Sequence, residues 1–212
     1  MSSLNEISIF LQQGRAKNVK EAVQKALDEG MEAKDILNKG LLDGMNIIGE
    51  KFKKNQVYVP EVLIAAKAMY AGMDILKPIL TETGVESAGK VVIGTVKGDL
   101  HDIGKNLVKM MMEGRGLEVI DLGIDVAPEE FIEAAKEHNA KIIACSALLT
   151  TTMTQMKKVV ELTIEHGIRD QVTIMVGGAP VTDNFCKSIG ADIYTPDAAS
   201  AAEAAARVCE TA

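Results

Sequence analysis

The sequence has few of the residues that mark secreted, zinc-binding or nucleic-acid-binding proteins. Its 212 residues include three cysteines, three histidines, no tryptophan and only 3% aromatic residues. The cysteines form no CxxC pair and the histidines show no zinc-ligand spacing, which argues against a disulfide framework and a zinc site. The net charge of −7 excludes the basic surface typical of nucleic-acid binding. Because the sequence also lacks a signal-peptide pattern and an apolar run of roughly 18 residues, we expect a soluble, cytoplasmic protein.

The first part of the chain has the apolar spacing of helices. Over residues 3–83, apolar residues recur every three or four positions, as in Val19, Val23 and Leu27. Pro60 suits the first turn of the last helix, where its missing N–H would have no helical partner. The pattern predicts four antiparallel helices packed as a small bundle, which we assign to residues 1–84.

The rest of the chain alternates between short β-branched runs and stretches of helical length. The five predicted strands cover residues 91–96, 118–123, 141–147, 172–177 and 191–196. Helices are predicted between and after them, near residues 104–115, 128–138, 152–167, 180–189 and 198–210. This alternation predicts a flavodoxin-like, doubly wound, five-stranded parallel sheet with helices on both faces, spanning residues 90–212. The overall class is therefore α plus α/β, and the small, polar segment 84–89 is the expected linker.

Ligands of such sheets bind outside the carboxyl ends of the strands, which selects residues 97–104, 146–152 and 177–180. The first stretch lacks the G-x-G-x-x-G and P-loop patterns, so a nucleotide loop is disfavoured. It does contain His101 two residues after Asp99, whose carboxylate could hold one ring nitrogen and leave the other free for a metal. Gly104 would let the backbone approach a bulky ligand.

These stretches carry a motif in three elements that resembles the signature of base-off, His-on cobalamin-binding domains. The elements are Asp99-x-His101-x-x-Gly104, Ser146-x-Leu148 and Gly177-Gly178. The bundle, through residues 40–52 and 58–69, resembles the helical cap of methionine synthase and of the corrinoid proteins of methylotrophic methyltransferase systems. The resemblance covers roughly residues 3–210.

The resemblance implies a role for each matching residue. His101 would replace the cobalamin's own base as the lower axial ligand of cobalt. Asp99 would hydrogen-bond the imidazole, and Thr152 would complete the catalytic relay at a position where methionine synthase has serine. The other expected cofactor contacts are Gly98, Leu100, Asp102, Ile103 and Gly104 beside the histidine, Thr150 at the corrin edge, Ser146, Leu148, Gly177, Gly178 and Ala198 along the nucleotide tail, and Phe52, Val59 and Val62 in the cap. On their spacing alone, the three cap residues are more typical of a bundle core, and only the resemblance indicates a lid.

The function implied by this family is methyl transport. The protein would accept a methyl group on cob(I)alamin from a donor-specific methyltransferase. It would then pass that group, as methylcob(III)alamin, to a second methyltransferase that serves a thiol or a tetrahydrofolate-type acceptor. A separate reductive activator is expected, and the chain would be a carrier subunit rather than an enzyme on its own. The sequence does not identify the donor, which could be methanol, a methylamine, a betaine or a methoxylated aromatic compound.

Two other functions remain as alternatives. A cobalamin-dependent sensor would need a DNA-binding helix-turn-helix domain, for which the acidic chain has no room. A cobalamin-binding subunit of an adenosylcobalamin mutase shares the histidine motif but usually lacks the helical cap. A methyl group or no upper ligand on the purified cobalamin would indicate the carrier, whereas an adenosyl group would indicate one of the alternatives.

Overall fold

A computed structural model describes residues 3–83 and 87–210 of the chain. These residues form two compact units, which we call the helical unit (described residues 3–83, 87 and 114–116) and the sheet unit (described residues 88–113 and 117–210). Residues 84–86, half of the predicted linker, lie outside the described residues. The domain limits at residues 84 and 90 stay a prediction.

The helical unit contains four successive helical rods. Their parts are α1 (Ser3–Gln12), α2 (Ala16–Asp28), a third rod made of α3 (Ala33–Asp35), a π-helix (Ile36–Leu42) and α4 (Asp43–Lys53), and finally α5 (Val59–Glu82). Pro60 lies in the first turn of α5, as its missing N–H predicts. The Glu61 carboxylate accepts the N–H of Tyr58 at 3.0 Å. The buried faces of these helices supply the core of the unit.

The π-helix is a departure from the uniform α-helical spacing that the sequence predicts for residues 36–52. Ile36 and Leu41 are both fully buried although they are five positions apart in the chain. In an α-helix that spacing would direct the two side chains to different sides. Hydrogen bonds between residues five apart align them on one face. Gly40 lies on the same buried face, where an added Cβ would come within 3.1 Å of Ile7.

The sheet unit alternates strands and helices along the chain. Its elements are β1 (Lys90–Thr95), α6 (Ile103–Glu113), β2 (Glu118–Asp121), α7 (Pro128–Glu137), β3 (Ile142–Ser146), α8 (Thr154–Glu165), a short 3-10 helix (Arg169–Gln171), β4 (Thr173–Gly177), α9 (Asp183–Ile189), β5 (Ile193–Tyr194) and α10 (Ala198–Glu210). The five strands are parallel in the order β2-β1-β3-β4-β5. This is the flavodoxin-like order, so the predicted fold class is confirmed.

The order of the strands places β1 and β3 side by side at the centre. Thr95 at the end of β1 is in register with Ser146 at the end of β3, so two of the three selected stretches begin at neighbouring positions. The strand order reverses at this point, which is where open α/β sheets bind ligands. Gly94 leaves room for the fully buried ring of Phe131, which would lie 2.8 Å from an added Cβ.

Several predicted boundaries are wrong by a few residues. Strand β5 has two residues instead of six, and α9 begins at Asp183 rather than at 180. Thr182 explains the second difference, because its hydroxyl oxygen accepts the N–H of Phe185 at 3.2 Å and so caps the helix. Helix α8 begins at Thr154 and not at Thr152, whose hydroxyl donates to the carboxylate of Asp99.

No helix within the described ranges combines the length and the apolar character needed to cross a membrane. The three cysteines are free and buried. Burial raises the pKa of the Cys145 thiol to about 12. A thiol in that state is protonated at neutral pH and a weak nucleophile, so Cys145 is a structural residue.

Candidate functional site

The candidate site begins with a tight turn after β1. The N–H of Asp99 donates to the C=O of Val96 at 3.1 Å, and Gly98, the third residue of this turn, has a φ of 82°. A positive φ at that position is typical of a type II turn and favours glycine. The turn therefore fixes the backbone at Asp99, two residues before His101.

Asp99 is a fully buried carboxylate that gathers hydrogen bonds from three parts of the chain. Its Oδ1 lies 2.7 Å from Nδ1 of His101 and accepts the backbone N–H of the same residue at 3.2 Å. Its Oδ2 accepts the hydroxyl of Thr152 at 2.8 Å, and the N–H groups of Leu148 and Leu149 at 2.8 and 3.1 Å. The structure thus brings together the three residues of the predicted relay.

This network explains why the buried carboxylate is charged. Burial by itself would raise the pKa of Asp99, because it disfavours the ionised form. The hydrogen bonds from His101, Leu148 and Thr152 outweigh burial and hold that pKa well below its usual range. Asp99 is consequently a fixed anion, which can accept hydrogen bonds but has no proton to donate.

The ionised Asp99 decides which nitrogen of His101 is available. Since the carboxylate only accepts, Nδ1 must carry the proton, and Nε2 of the neutral imidazole keeps its lone pair. The side chain is 52% exposed, and no hydrogen bond to Nε2 is found among the described residues. The backbone of His101 is also fixed, because the buried hydroxyl of Thr95 donates to its C=O at 2.8 Å. The arrangement presents one oriented nitrogen ligand to a metal approaching this edge.

The surroundings of His101 suit a large apolar ligand. Leu100 and Ile103, on either side of it, are 67% and 76% exposed. Five of the six exposed large apolar side chains described in the sheet unit are at this edge, namely Leu100, Ile103, Ile124, Leu148 and Leu149. Such a concentration of exposed apolar surface is typical of a binding site. An oriented nitrogen within an apolar rim fits a metal held in a macrocycle, and so the residues present fit cobalamin.

The positions matched to the nucleotide tail follow β3 and β4. Ser146 and Gly177 are register partners at the ends of these strands, and Gly177 has open space where a Cβ would stand. Gly178 has a φ of 127°, and an added Cβ would lie 1.9 Å from the carbonyl oxygen of Ala147. Only glycine fits there, so the backbones of the two loops can approach closely.

The other predicted residues are spread more widely. Thr150, Asp102 and Gly104 are exposed at the same edge, while Ala198 is buried at the first position of α10. In the helical unit, Phe52 is near the end of α4, Val59 begins α5, and Val62 is fully buried. The burial of Val62 agrees with the bundle-core alternative, and the role of these three residues as a lid stays a prediction.

Sequence reasoning missed a buried ion pair beside the site. The ammonium of Lys105 lies 2.6 Å from Oδ1 of Asp121, and its side chain is almost fully buried. Asp121 also accepts the N–H of Gly123 and the ammonium of Lys109, at 3.0 and 3.3 Å. Burial opposes ionisation of Asp121, but the Lys105 contact lowers its pKa overall. The signal that would have found the pair is a lysine in the apolar first turn of α6, opposite an aspartate that ends β2.

Comparison with known proteins identifies the class to which this fold and site belong. Residues 89–206 match a family model described as a B12 binding domain, and residues 4–77 match a second model with the same description. The chain belongs to the B12-binding family. The predicted family and the cobalamin cofactor with its cobalt are thereby confirmed.

Within this family, the chain is most informatively compared with corrinoid proteins. It is 40% identical to a corrinoid protein of Desulfitobacterium hafniense over 211 residues, 98% of each chain. It is 45% identical to dimethylamine corrinoid protein 2 of Methanosarcina acetivorans over 201 residues, 93% of this chain and 92% of that one. A chain of the methanol:cobalamin methyltransferase complex MtaBC from Methanosarcina barkeri matches with a TM-score of 0.88 at 29% identity, covering 98% of this chain and 79% of that chain.

Proposed function

We propose that this protein is the methyl-carrying corrinoid subunit of a methyltransferase system and that His101 is the lower axial ligand of its cobalt. The observation that carries the proposal is the contact between Nδ1 of His101 and the ionised Asp99, which leaves Nε2 oriented and available. When bound, the corrinoid supplies the chemistry, because its cobalt can accept a methyl group and release it to another acceptor. The relatives named as corrinoid proteins support the same function.

The residues of this chain have the task of holding and tuning the ligand. Asp99 keeps a proton on Nδ1 and fixes the plane of the imidazole. Thr152 and the amides of Leu148 and Leu149 hold the carboxylate in place and stabilise its charge.

Separate residues are proposed to hold the rest of the cofactor. Leu100, Asp102, Ile103, Gly104 and Thr150 would contact the corrin ring from the exposed edge. The nucleotide tail would lie along Ser146, Leu148, Gly177, Gly178 and Ala198, and Gly177 has open space at its Cβ position. The proposed role of Phe52, Val59 and Val62 as an apolar lid rests on their resemblance to the cap of methionine synthase alone.

The proposed partners are a donor-specific methyltransferase, a second methyltransferase and a separate reductive activator. The structural relative MtaBC is a methanol:cobalamin methyltransferase complex, and the name of the Methanosarcina acetivorans relative refers to dimethylamine. These relatives favour a small methylated alcohol or amine as the donor, and a thiol or a tetrahydrofolate-type compound stays the proposed acceptor. We place the protein in the cytoplasm, which its free cysteines support.

Binding of hydroxocobalamin to the purified protein tests the axial assignment. We expect about one cobalamin per chain. After one-electron reduction to cob(II)alamin in protein labelled with 15N-histidine, we expect the electron paramagnetic resonance splitting of a histidine nitrogen on cobalt. His101→Ala should remove this splitting and keep much of the binding, because the proposed tail contacts come from other residues. His166→Ala, which removes another exposed histidine of the sheet unit, is the matched control and should behave as the wild type. Splitting by a histidine nitrogen that persists in His101→Ala would refute the assignment.

The methyl-carrier function requires a second measurement. Cobalamin isolated with the protein should carry a methyl group or no upper ligand, and methylated protein should lose the methyl group to an acceptor when a methyltransferase is added. An adenosyl group on the isolated cofactor would instead favour a sensor or a mutase subunit.

A further inference from the structure

Asp125, in the loop between β2 and α7, holds the turn from which His101 projects. Its carboxylate oxygen Oδ1 accepts the N–H of Gly98 at 2.6 Å. Its own N–H donates to the C=O of Asp99 at 3.0 Å. The two contacts fix the backbone on both sides of the peptide that joins Gly98 to Asp99.

The conformation of Asp125 explains why an aspartate suits this position. Its φ is 55°, in the left-handed region that only glycine, asparagine and aspartate adopt readily. In the turn from Val96 to Asp99, the closing hydrogen bond uses the N–H of Asp99 and leaves that of Gly98 without a partner inside the turn. Aspartate at position 125 tolerates the backbone geometry and also supplies the charged acceptor that Gly98 needs.

We propose that Asp125 is a positioning residue for the axial histidine, an inference that rests on the proposed function. The carboxylate of Asp99 holds the imidazole of His101, and the place of that carboxylate depends on the backbone that Asp125 fixes. Thr95 anchors the other end of the loop through the C=O of His101. Since Thr95 belongs to β1, Asp125 is the restraint that ties the loop to the neighbouring β2 side of the sheet.

Two substitutions separate the carboxylate from the backbone conformation. Asp125→Gly keeps the left-handed conformation and the N–H, but removes the acceptor for Gly98. Asp125→Asn keeps both the conformation and an acceptor oxygen, without the charge. The matched control is Asn139→Gly, because Asn139 has a φ of 52° and follows α7, before β3 and therefore at the opposite edge of the sheet.

The first readout uses the protein without cofactor. In Asp125→Gly, amide hydrogen exchange of Gly98 should be at least about tenfold faster, because a hydrogen bond to a charged acceptor is lost. In Asp125→Asn it should rise about twofold to fivefold, since a weaker, neutral acceptor remains. Should the glycine variant fail to fold, the asparagine variant decides this readout, and an unchanged exchange rate of Gly98 would refute the restraint.

The second readout is the ligation state of bound hydroxocobalamin. The constant for ligation by His101 should fall about tenfold in Asp125→Gly, as expected when a supporting residue of a metal ligand is removed, and recover most of its value in Asp125→Asn. Asn139→Gly should leave it unchanged. Wild-type ligation in Asp125→Gly, or an equal loss in Asn139→Gly, would overturn the positioning role. A wild-type protein that never shows nitrogen-ligated cobalt would instead overturn the proposed function, and this role with it.

Discussion

Removing the hydroxyl of Thr152 should loosen the carboxylate that orients His101. Thr152→Val keeps the shape of the side chain and deletes the donor that lies 2.8 Å from Oδ2 of Asp99. A hydrogen bond to a charged group contributes about 1.5–3 kcal/mol. The two amides of Leu148 and Leu149 still reach the same oxygen, so we expect a cost at the lower end of that range.

Thermal unfolding and cobalamin binding measure this effect. In a chain of this length, roughly 1.5 kcal/mol lowers the melting temperature by about 3–6 °C. Thr152→Val exchanges only the hydroxyl for a methyl group, so its difference from the wild type isolates the hydrogen bond. Thr152→Ser retains the hydroxyl and is the control, which should keep the ligation constant of the wild type. In Thr152→Val the ligation constant of His101 should also fall about tenfold. A melting temperature and a ligation constant in Thr152→Val equal to those of the wild type would refute the relay.

Three further predictions concern the sheet unit. Lys105→Met should destabilise it by about 3 kcal/mol, the lower limit for a fully buried pair, because the partly buried Asp121 would lose its main partner and keep Lys109. Lys105→Met combined with Asp121→Leu should recover most of the loss in chemical denaturation. The pKa of Asp121 is lowered in the folded protein from its ordinary value of 3.8. The stability that the ionised Asp121 contributes is therefore complete above pH 3.8 and is lost as the pH falls through the folded pKa. In acid titrations followed by circular dichroism, the wild type should thus lose more stability below about pH 4 than the double variant. Gly178→Ala should weaken cobalamin binding and cost at least about 1–3 kcal/mol in thermal unfolding, because alanine is strained at a φ of 127°.

Each of these predictions has a control. Lys109→Met removes the more distant and more exposed lysine of Asp121 and should cost much less than Lys105→Met. Gly123→Ala matches Gly178→Ala in having a positive φ, of 88°, but has open space at its Cβ. A double variant no more stable than Lys105→Met would contradict the ion-pair argument. An acid transition that is the same with and without the ion pair would contradict the pH argument. A Gly178→Ala variant as stable as Gly123→Ala would contradict the close approach at Gly178.

The features that depend on residues close together in the sequence could be predicted from the sequence alone. Apolar spacing alone indicates helices followed by alternating strands and helices, because burial on one face or on both faces leaves a direct pattern. The position of His101 two residues after Asp99 is also local, and it already suggests that one ring nitrogen is held. The assignment of Thr152 came from the family resemblance, since nothing in its immediate sequence connects it with Asp99.

The tertiary structure decided which groups from distant parts of the sequence meet at the carboxyl ends of the strands. Leu148, Leu149 and Thr152 reach Asp99 from about fifty residues away only because β3 lies beside β1. Asp125 reaches Gly98 because β2 lies on the other side of β1 and because its backbone adopts a left-handed conformation. No local pattern encodes these contacts, because strand order and loop geometry depend on how the entire sheet packs. The sequence therefore indicates the ligand, and the fold supplies the groups that orient it.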